Sequence, residues 1–363
     1  MDFSPAQDRA LEAVARWLAD PGQPQVFRLF GFAGTGKTTL ARHLAEHVDG
    51  EVAFGAYTGK AALVMRSKGC RDARTIHSMI YRPKDTEGEA PTFVLNDDSP
   101  AAKANLIVID ECSMVDEEMG RDLLSFGKKT LVLGDPAQLP PIQGGGFFTE
   151  AEPDAMLTEV HRQAADDPIV RLSMDVREGK RLSHGTYGRS RIISKSDIDA
   201  EAVTSADQIL VGMNKTRRAY NRRLRELQGF SGDMPNAGEK LVCLRNNRAK
   251  GLLNGGLFRV EKASGLRRGK VSLSVKPEET ITAKPLRVRV LPAFFQGEDD
   301  IPYALRKASD EFDYGYALTV HKSQGSQWND VVLFDESFAF REHRARWLYT
   351  GITRAAERLT IVM

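Results

Sequence analysis

The chain has 363 residues, 41% of them hydrophobic, with 51 basic and 49 acidic residues and a formal charge of +2. This length accommodates two domains of ordinary size, and the near-neutral balance excludes a passive cationic nucleic-acid coat, so any nucleic-acid track is expected to be local. Cys70, Cys112 and Cys243 stand far apart with no CxxC pair, which argues against a zinc site or a disulfide framework and fits a reducing, cytoplasmic setting.

At the start, Met-Asp-Phe-Ser-Pro carries neither a basic nor an apolar signal region, and no apolar run approaches the roughly 18 residues of a membrane span, so neither export nor a membrane is expected. Residues Pro5 to Leu18 read as a helix, and Val26 to Phe30 as a short apolar strand running into a glycine-rich turn. Strand-like runs at Val52 to Ala56, Leu106 to Ile109 and Leu131 to Leu133 alternate with helical stretches, the rhythm of a parallel sheet flanked by helices. The stretch Arg82 to Ala101, with Pro83, Pro91 and Pro100, breaks this rhythm and reads as an excursion with a hairpin around Thr92 to Leu95. Beyond Phe148 a helix is expected around His161 and Arg162, then a polar stretch to Ala206 and a strand at Gln208 to Gly212. An amphipathic helix follows, in which Tyr220, Leu224 and Leu227 form a buried stripe that turns Arg217, Arg218, Arg222, Arg223 and Arg225 outward. From Gly238 to about Pro302, short alternating strands around Lys240 to Leu244, Phe258 to Lys262, Lys270 to Val275 and Leu286 to Leu291, with Asn254-Gly255 among the turns, read as a small inserted antiparallel barrel. Strand and helix alternation resumes at Tyr314 and closes with Leu359 to Met363. Further basic patches are Arg267, Arg268 and Lys270, and Arg341, Arg344 and Arg346.

The run Gly31-Phe-Ala-Gly34-Thr35-Gly36-Lys37-Thr38-Thr39 fits GxxxxGK[ST] between a strand and a helix. Glycines let backbone N–H groups turn toward phosphate, Lys37 neutralises the β and γ oxygens, and Thr38 supplies a magnesium ligand. The second half of such a site is a carboxylate at the end of a buried strand, which Leu106-Ile-Val-Ile-Asp110-Glu111 supplies. Asp110 is expected to hold the ion and Glu111 to orient and deprotonate the attacking water. Gly134-Asp135-Pro-Ala-Gln138 follows another strand, and Gln138 is the candidate sensor of the γ-phosphate. Charge developing in phosphoryl transfer calls for arginines, and Arg162 and Arg354 are the candidates.

In chain order, Gln7, the P-loop, Tyr57-Thr-Gly-Lys60, Thr75-Ile-His77-Ser, Asp110-Glu-Cys-Ser-Met, Gly134-Asp-Pro-Ala-Gln138, His161-Arg162-Gln163, Thr319-Val-His321-Lys322-Ser-Gln-Gly325-Ser and Tyr349-Thr-Gly-Ile-Thr353-Arg354 resemble the motif series of superfamily 1 helicases, in wording closest to the RecD and Dda branch. The resemblance implies an α/β chain of two RecA-like P-loop domains with parallel sheets, a small hairpin insertion in the first and a small β-barrel insertion in the second. Its expected boundaries are 1–150 for the first domain with the hairpin at about 82–101, 151–237 and 308–363 for the second, and 238–307 for the barrel. It implies ATP and Mg2+ as cofactors, with Gln7 reading adenine, Gly34, Thr35, Gly36, Lys37, Thr38, Thr39 and Gly325 around the nucleotide, and Arg162 and Arg354 reaching the γ-phosphate from an opposing domain. Thr58, Lys60, Thr75, His77, Thr319, His321 and Lys322 would line a strand of DNA, touching phosphates that fix position without reading sequence. Gln327 stands where the family commonly has an acid, which puts the ribose contact in doubt. The 82–101 excursion occupies the place of a strand-splitting pin, and Phe93 either stacks on a base or is a local hydrophobic anchor.

The implied activity is ATP-dependent, 5′-to-3′ DNA unwinding by a monomer acting on single strands and duplex junctions, in replication or repair. A translocase that strips bound proteins with little unwinding would use the same residues. A P-loop kinase would need neither Thr75-Ile-His77 nor His321-Lys322.

Overall fold

The computed structural model describes residues 3–84, 92–140, 146–159, 167–247, 250–278, 284–298 and 300–363. The chain divides into two compact units, Met1–Gly179 and Lys180–Met363.

The first unit begins with a helix, Pro5–Ala19, set by local chemistry: Ser4 caps it, Pro5 occupies the first turn, and Gln7 closes a capping box back onto Ser4. Its buried face, Ala10, Val14 and Trp17, packs toward Phe27. The strands are β1 (Val26–Gly31), β2 (Val52–Ala56), β3 (Arg74–Thr75), β4 (Tyr81–Lys84), β5 (Thr92–Leu95), β6 (Leu106–Asp110), β7 (Lys129–Gly134) and β8 (Ala155–Leu157). Six of them form a sheet in the order β3-β2-β6-β7-β1-β8, every pair parallel. A parallel sheet is covered on both faces, which is why β6 reads as an unbroken apolar run. Leu106 and Val108 join Leu29, Leu40 and Leu133 in one core, whereas Ile107 and Ile109 join Phe30, Met79 and Val132 in the other. β4 and β5 form a separate antiparallel ribbon with Pro83 opposite Phe93. The rest of the expected excursion, between Lys84 and Thr92, lies outside the described residues.

The first unit continues past residue 150, where the sequence reading ended it. β8 pairs with β1, Ala155 opposite Leu29, and a capped helix at Pro168–Arg177 belongs to the same unit. Three residues are too few for strand periodicity to register, so β8 is hidden in a stretch where the sequence only changes register after Phe148.

The second unit contains β9 (Gly185–Tyr187), β10 (Ser190–Ile193), β11 (Gln208–Val211), β12 (Lys240–Cys243), β13 (Leu257–Arg267), β14 (Lys270–Pro277), β15 (Leu286–Val290), β16 (Phe312–Tyr314), β17 (Ala317–Thr319), β18 (Trp328–Phe334) and β19 (Ala355–Val362). One sheet runs β17-β11-β18-β19-β10-β9, parallel except for the β9 and β10 pair, which falls in a stretch read from sequence only as polar. A five-stranded antiparallel sheet runs β15-β14-β13-β12-β16. Asp310, just before β16, bridges Val290 and donates its N–H to the Arg289 carbonyl at 2.8 Å, which curls this sheet toward closure.

The helix Asn214–Leu227 departs from its expected amphipathicity. Arg217 and Arg225 are buried, not turned outward, and Leu227 is exposed. Arg217 pairs with Asp313 at 2.7 Å, and Arg225 grips Glu239 through Nε and Nη2 at 2.6 and 3.0 Å while its guanidinium lies over the Tyr314 ring. With so few apolar residues on this helix, buried ion pairs take over part of the contact with the antiparallel sheet. No described helix is long and apolar enough to cross a membrane.

Candidate active site

The chemistry of the first unit gathers at the carboxyl ends of its parallel strands, the edge where open α/β sheets bind ligands. β1 ends at Gly31 and enters the loop before the helix Lys37–Ala45. Gly34 and Gly36 have φ of 79° and 81°, a left-handed backbone that a side chain would strain. A Cβ on Gly31 would come within 2.8 Å of the Leu157 Cβ, so the loop enters through a gap only glycine fits. The Lys37 ammonium folds back to donate to the carbonyls of Gly31 at 2.6 Å and Phe32 at 3.0 Å. Gln7 donates to the Thr35 carbonyl at 3.0 Å, tying the first helix to the loop.

β6 delivers Asp110 to the same place, where the Thr38 hydroxyl donates to its carboxylate at 2.7 Å. A hydroxyl and a carboxylate oxygen side by side are the hard ligands Mg2+ accepts, with phosphate and water completing its shell. Among the described residues no cluster of three or more His, Cys, Asp or Glu could cage a metal, so this pair is the candidate magnesium site. Glu111 follows at φ 54°, ψ 45°, an unusual conformation for a residue with a side chain. Beyond β7, Gln138 is buried and its Oε1 has no hydrogen-bond partner, and the same holds for the Oγ of Ser113. Orphaned buried acceptors are rare, and one on the expected phosphate sensor fits a ligand-binding role.

A further contact escaped the sequence reading. The Arg177 guanidinium lies 3.6 Å over the ring of Phe32, inside the P-loop, so the helix Pro168–Arg177 buttresses the loop through a cation–π contact. These residues are far apart in the chain, and no local pattern marks the pair.

The residues expected to line a strand occupy neighbouring strand ends. Thr58 follows β2 and Thr75 ends β3, and each caps a helix: Thr58 accepts from the Ala61 N–H at 3.1 Å and Thr75 from that of Ser78 at 3.3 Å. Lys60 is buried in the first turn after Thr58. The His77 ring meets Phe93 edge-on, with centroids 4.4 Å apart, and Tyr81 at 4.9 Å. Phe93 remains exposed, so the ribbon carries an aromatic ring beside His77 with one side open to solvent.

In the second unit Thr319 ends β17 and its hydroxyl accepts from the Lys322 N–H at 3.3 Å, one residue ahead of Val320, which stands at the cap position of the short turn His321–Ser323. His321 lies 5.4 Å from the Phe340 ring, and burial, with His343 adding to it, holds its pKa below the ordinary value. Lys322 reaches solvent, yet desolvation by its surroundings and then the nearby Arg217 lower its pKa. Arg354 is buried and held by its own unit, donating to the carbonyls of Thr350 at 3.0 Å and Ser326 at 3.2 Å and to the Thr353 hydroxyl at 3.1 Å. Gly325 has φ 74°, and the exposed Gln327 side chain donates to the Ala355 carbonyl at 3.4 Å. Thr39 lies half-buried in the first turn of the P-loop helix, whereas Arg162, with His161 and Gln163, lies outside the described residues.

Residues 3–197 match the family model of an AAA domain, and residues 314–362 match the UvrD-like helicase C-terminal domain. The chain belongs to the superfamily 1 helicases of the RecD/Dda-like branch. Among relatives of this chain, the ATP-dependent RecD2 DNA helicase of Deinococcus radiodurans is 28% identical over 91% of this chain and 46% of its own length. The ATP-dependent DNA helicase dda of Enterobacteria phage T4 is 32% identical over 49% of this chain and 43% of its own. Bacteroides Pif1 bound to single-stranded DNA shares the fold, with a TM-score of 0.60 at 17% identity, covering 99% of this chain and 92% of that one. The chain spans less than half the length of these two curated relatives.

Proposed function

We propose that this chain is an ATP-driven DNA helicase that moves 5′ to 3′ on single-stranded DNA and unwinds duplex ahead of it. The observation that carries this reading is the Thr38 hydroxyl on the Asp110 carboxylate at 2.7 Å, beside a P-loop and next to the strained Glu111. ATP with Mg2+ supplies the free energy, through transfer of the γ-phosphoryl group to water. The chain's residues then have separate tasks. P-loop N–H groups and Lys37 hold the β and γ oxygens, Thr38 and Asp110 hold the ion, and Glu111 takes the proton of the attacking water. Gln138 reports the γ-phosphate, Gln7 reads adenine, and Arg354 and Arg162 stabilise developing charge.

Breaking one DNA step costs about 1.4 kcal/mol of stacking on average, more than twice thermal energy, so sustained unwinding requires this coupling. Thr58, Lys60, Thr75, His77, Thr319, His321 and Lys322 grip phosphates, and Phe93 on its ribbon parts the duplex. We read the antiparallel sheet as an insertion in the second motor domain that starts at about residue 238 and runs past the expected end at 307, because β16 pairs with β12, and the chain as active without self-association. The relatives named as ATP-dependent DNA helicases support the helicase reading, and magnesium, the polarity and a role in replication or repair complete the same proposal. The deciding experiment is strand displacement on matched duplexes with a 5′ or a 3′ single-stranded tail. Displacement of the 5′-tailed substrate is expected; ATPase activity indifferent to added single strands, with no displacement of either, defeats the reading.

A further inference from the structure

The five-stranded antiparallel sheet carries charge that the motor chemistry leaves unused. On its strand β14, Val271, Leu273 and Val275 are buried, while Ser272 and Ser274 face the other way. Across the ladder, Ser274 lies opposite both Lys262 of β13 and Arg287 of β15, and Ser272 lies opposite Arg289. Residues paired in this way share a face. The short serines therefore make a floor, and longer cationic side chains on the flanking strands make two walls. The trough encloses about 1050 Å3, and Arg267 and Lys307 also line it.

Five of its cations, Lys262, Arg267, Arg287, Arg289 and Lys307, are exposed, and among the described residues none has an ion-pair partner. At one end the contrast is plain: Lys250 pairs with Asp310 at 2.6 Å and Arg245 with Glu311 at 3.0 Å. Basic side chains often serve to protect a sheet edge from pairing. The β15 edge is already bridged to Asp310, so that purpose does not account for Arg287 and Arg289. Two strand spacings set the walls about 10 Å apart, and Arg287 and Arg289 follow each other at about 7 Å along β15. That width suits one polynucleotide strand, and cations with hydroxyls suit its phosphates without reading bases.

We propose that this trough binds the sugar–phosphate backbone of a single nucleic-acid strand, at a site separate from the motif residues Thr319, His321 and Lys322, none of which lines it. The identity of the polyanion rests on the reading of the chain as a DNA motor; the charge of the trough does not.

The test uses the full chain with Lys262, Arg267, Arg287 and Arg289 all changed to Gln, and measures binding to a long labelled oligothymidylate across a salt series without nucleotide. Each phosphate neutralised on a single strand contributes about 0.7 to the slope of log affinity against log salt. The four substitutions should therefore flatten that slope by about 3 and weaken low-salt binding at least tenfold. ATPase stimulation by a saturating short oligonucleotide should not change. A paired Arg287→Lys, Arg289→Lys variant should keep the slope, which separates loss of charge from loss of fold. An unchanged slope in the Gln variant overturns the proposal. So does competition by polyglutamate that equals oligothymidylate on the native chain and vanishes in the variant, since the occupant would then be an acidic protein segment. Failure of single strands to stimulate the native ATPase would defeat the motor reading while leaving the salt slope to judge the trough.

Discussion

Glu111 offers a test in which stability and chemistry separate. Its backbone is left-handed at φ 54°, ψ 45°, which costs an L-residue roughly 1–2 kcal/mol. Glycine adopts this conformation freely but loses about 0.5–1 kcal/mol more in ordering than alanine does. Glu111→Gly should therefore stabilise the first unit by up to about 1 kcal/mol, or roughly 2–4 °C in its melting transition, whereas Glu111→Ala keeps the strain and should not. Both remove the carboxylate. If that group is the general base, each should slow single-strand-stimulated ATP turnover by about 10²–10⁴, with DNA affinity little changed. Glu111→Gln keeps side-chain size and backbone strain, so it should lose turnover without gaining stability. Thermal denaturation and steady-state ATPase assays on the three variants complete the set. Near-native turnover in Glu111→Gln would refute the assigned role, and a glycine variant no more stable than the alanine variant would refute the strain.

Other expectations follow from the same geometry. Lys37→Ala removes the ammonium that caps the loop carbonyls and should abolish ATP turnover while leaving oligonucleotide binding measurable by anisotropy; surviving hydrolysis would mean the phosphate site is elsewhere. Phe93→Ala loses the ring pair with His77, worth about 0.5–1.5 kcal/mol, and should lower strand displacement well beyond any loss of ATPase; equal losses in both assays would reduce Phe93 to a structural anchor. Burial and His343 depress the His321 pKa, so the folded chain favours the neutral ring, and the stability this confers is present above the ordinary histidine value and lost as pH falls through it. The second unit's urea midpoint should drop on acidification, and His321→Asn should reduce that drop; an identical pH profile in the variant would remove His321 from the explanation.

Phosphate chemistry was the most legible part of the sequence because it restricts residue type at each step. Glycine adopts the Gly36 conformation without strain, a long cation reaches back over the loop as Lys37 does, and an acid at the end of an apolar strand has few structural excuses. What stayed hidden depends on partners distant in the chain. β8 is three residues long and is defined by its pairing with β1, not by its own pattern. The arginines at 217 and 225 have the spacing of a solvated helix face, and only Asp313 and Glu239, supplied by the antiparallel sheet, turn them inward. Arg177 on Phe32 is equally invisible locally. Surface charge and buried charge look alike until the counter-ion is placed.

The motif threonines show how one side chain can carry two roles. Thr58, Thr75 and Thr319 are expected to touch the strand, and each hydroxyl also accepts a backbone N–H three residues on, at the start of a helical turn. Capping and strand contact are compatible, since a hydroxyl retains its own proton and a second lone pair, but they confound the usual alanine test. Thr58→Ala should cost the first unit about 0.5–2 kcal/mol through the lost cap alone, so weaker DNA binding in that variant would prove little. Thr58→Ser keeps the hydroxyl and the cap and removes only the methyl group. If the hydroxyl touches the strand, the serine variant should match the native chain in both melting and oligonucleotide affinity, and Thr58→Asn, which caps as well but replaces the hydroxyl with a bulkier amide, should keep stability and lose affinity. Full affinity in the asparagine variant would leave Thr58 a cap and nothing more.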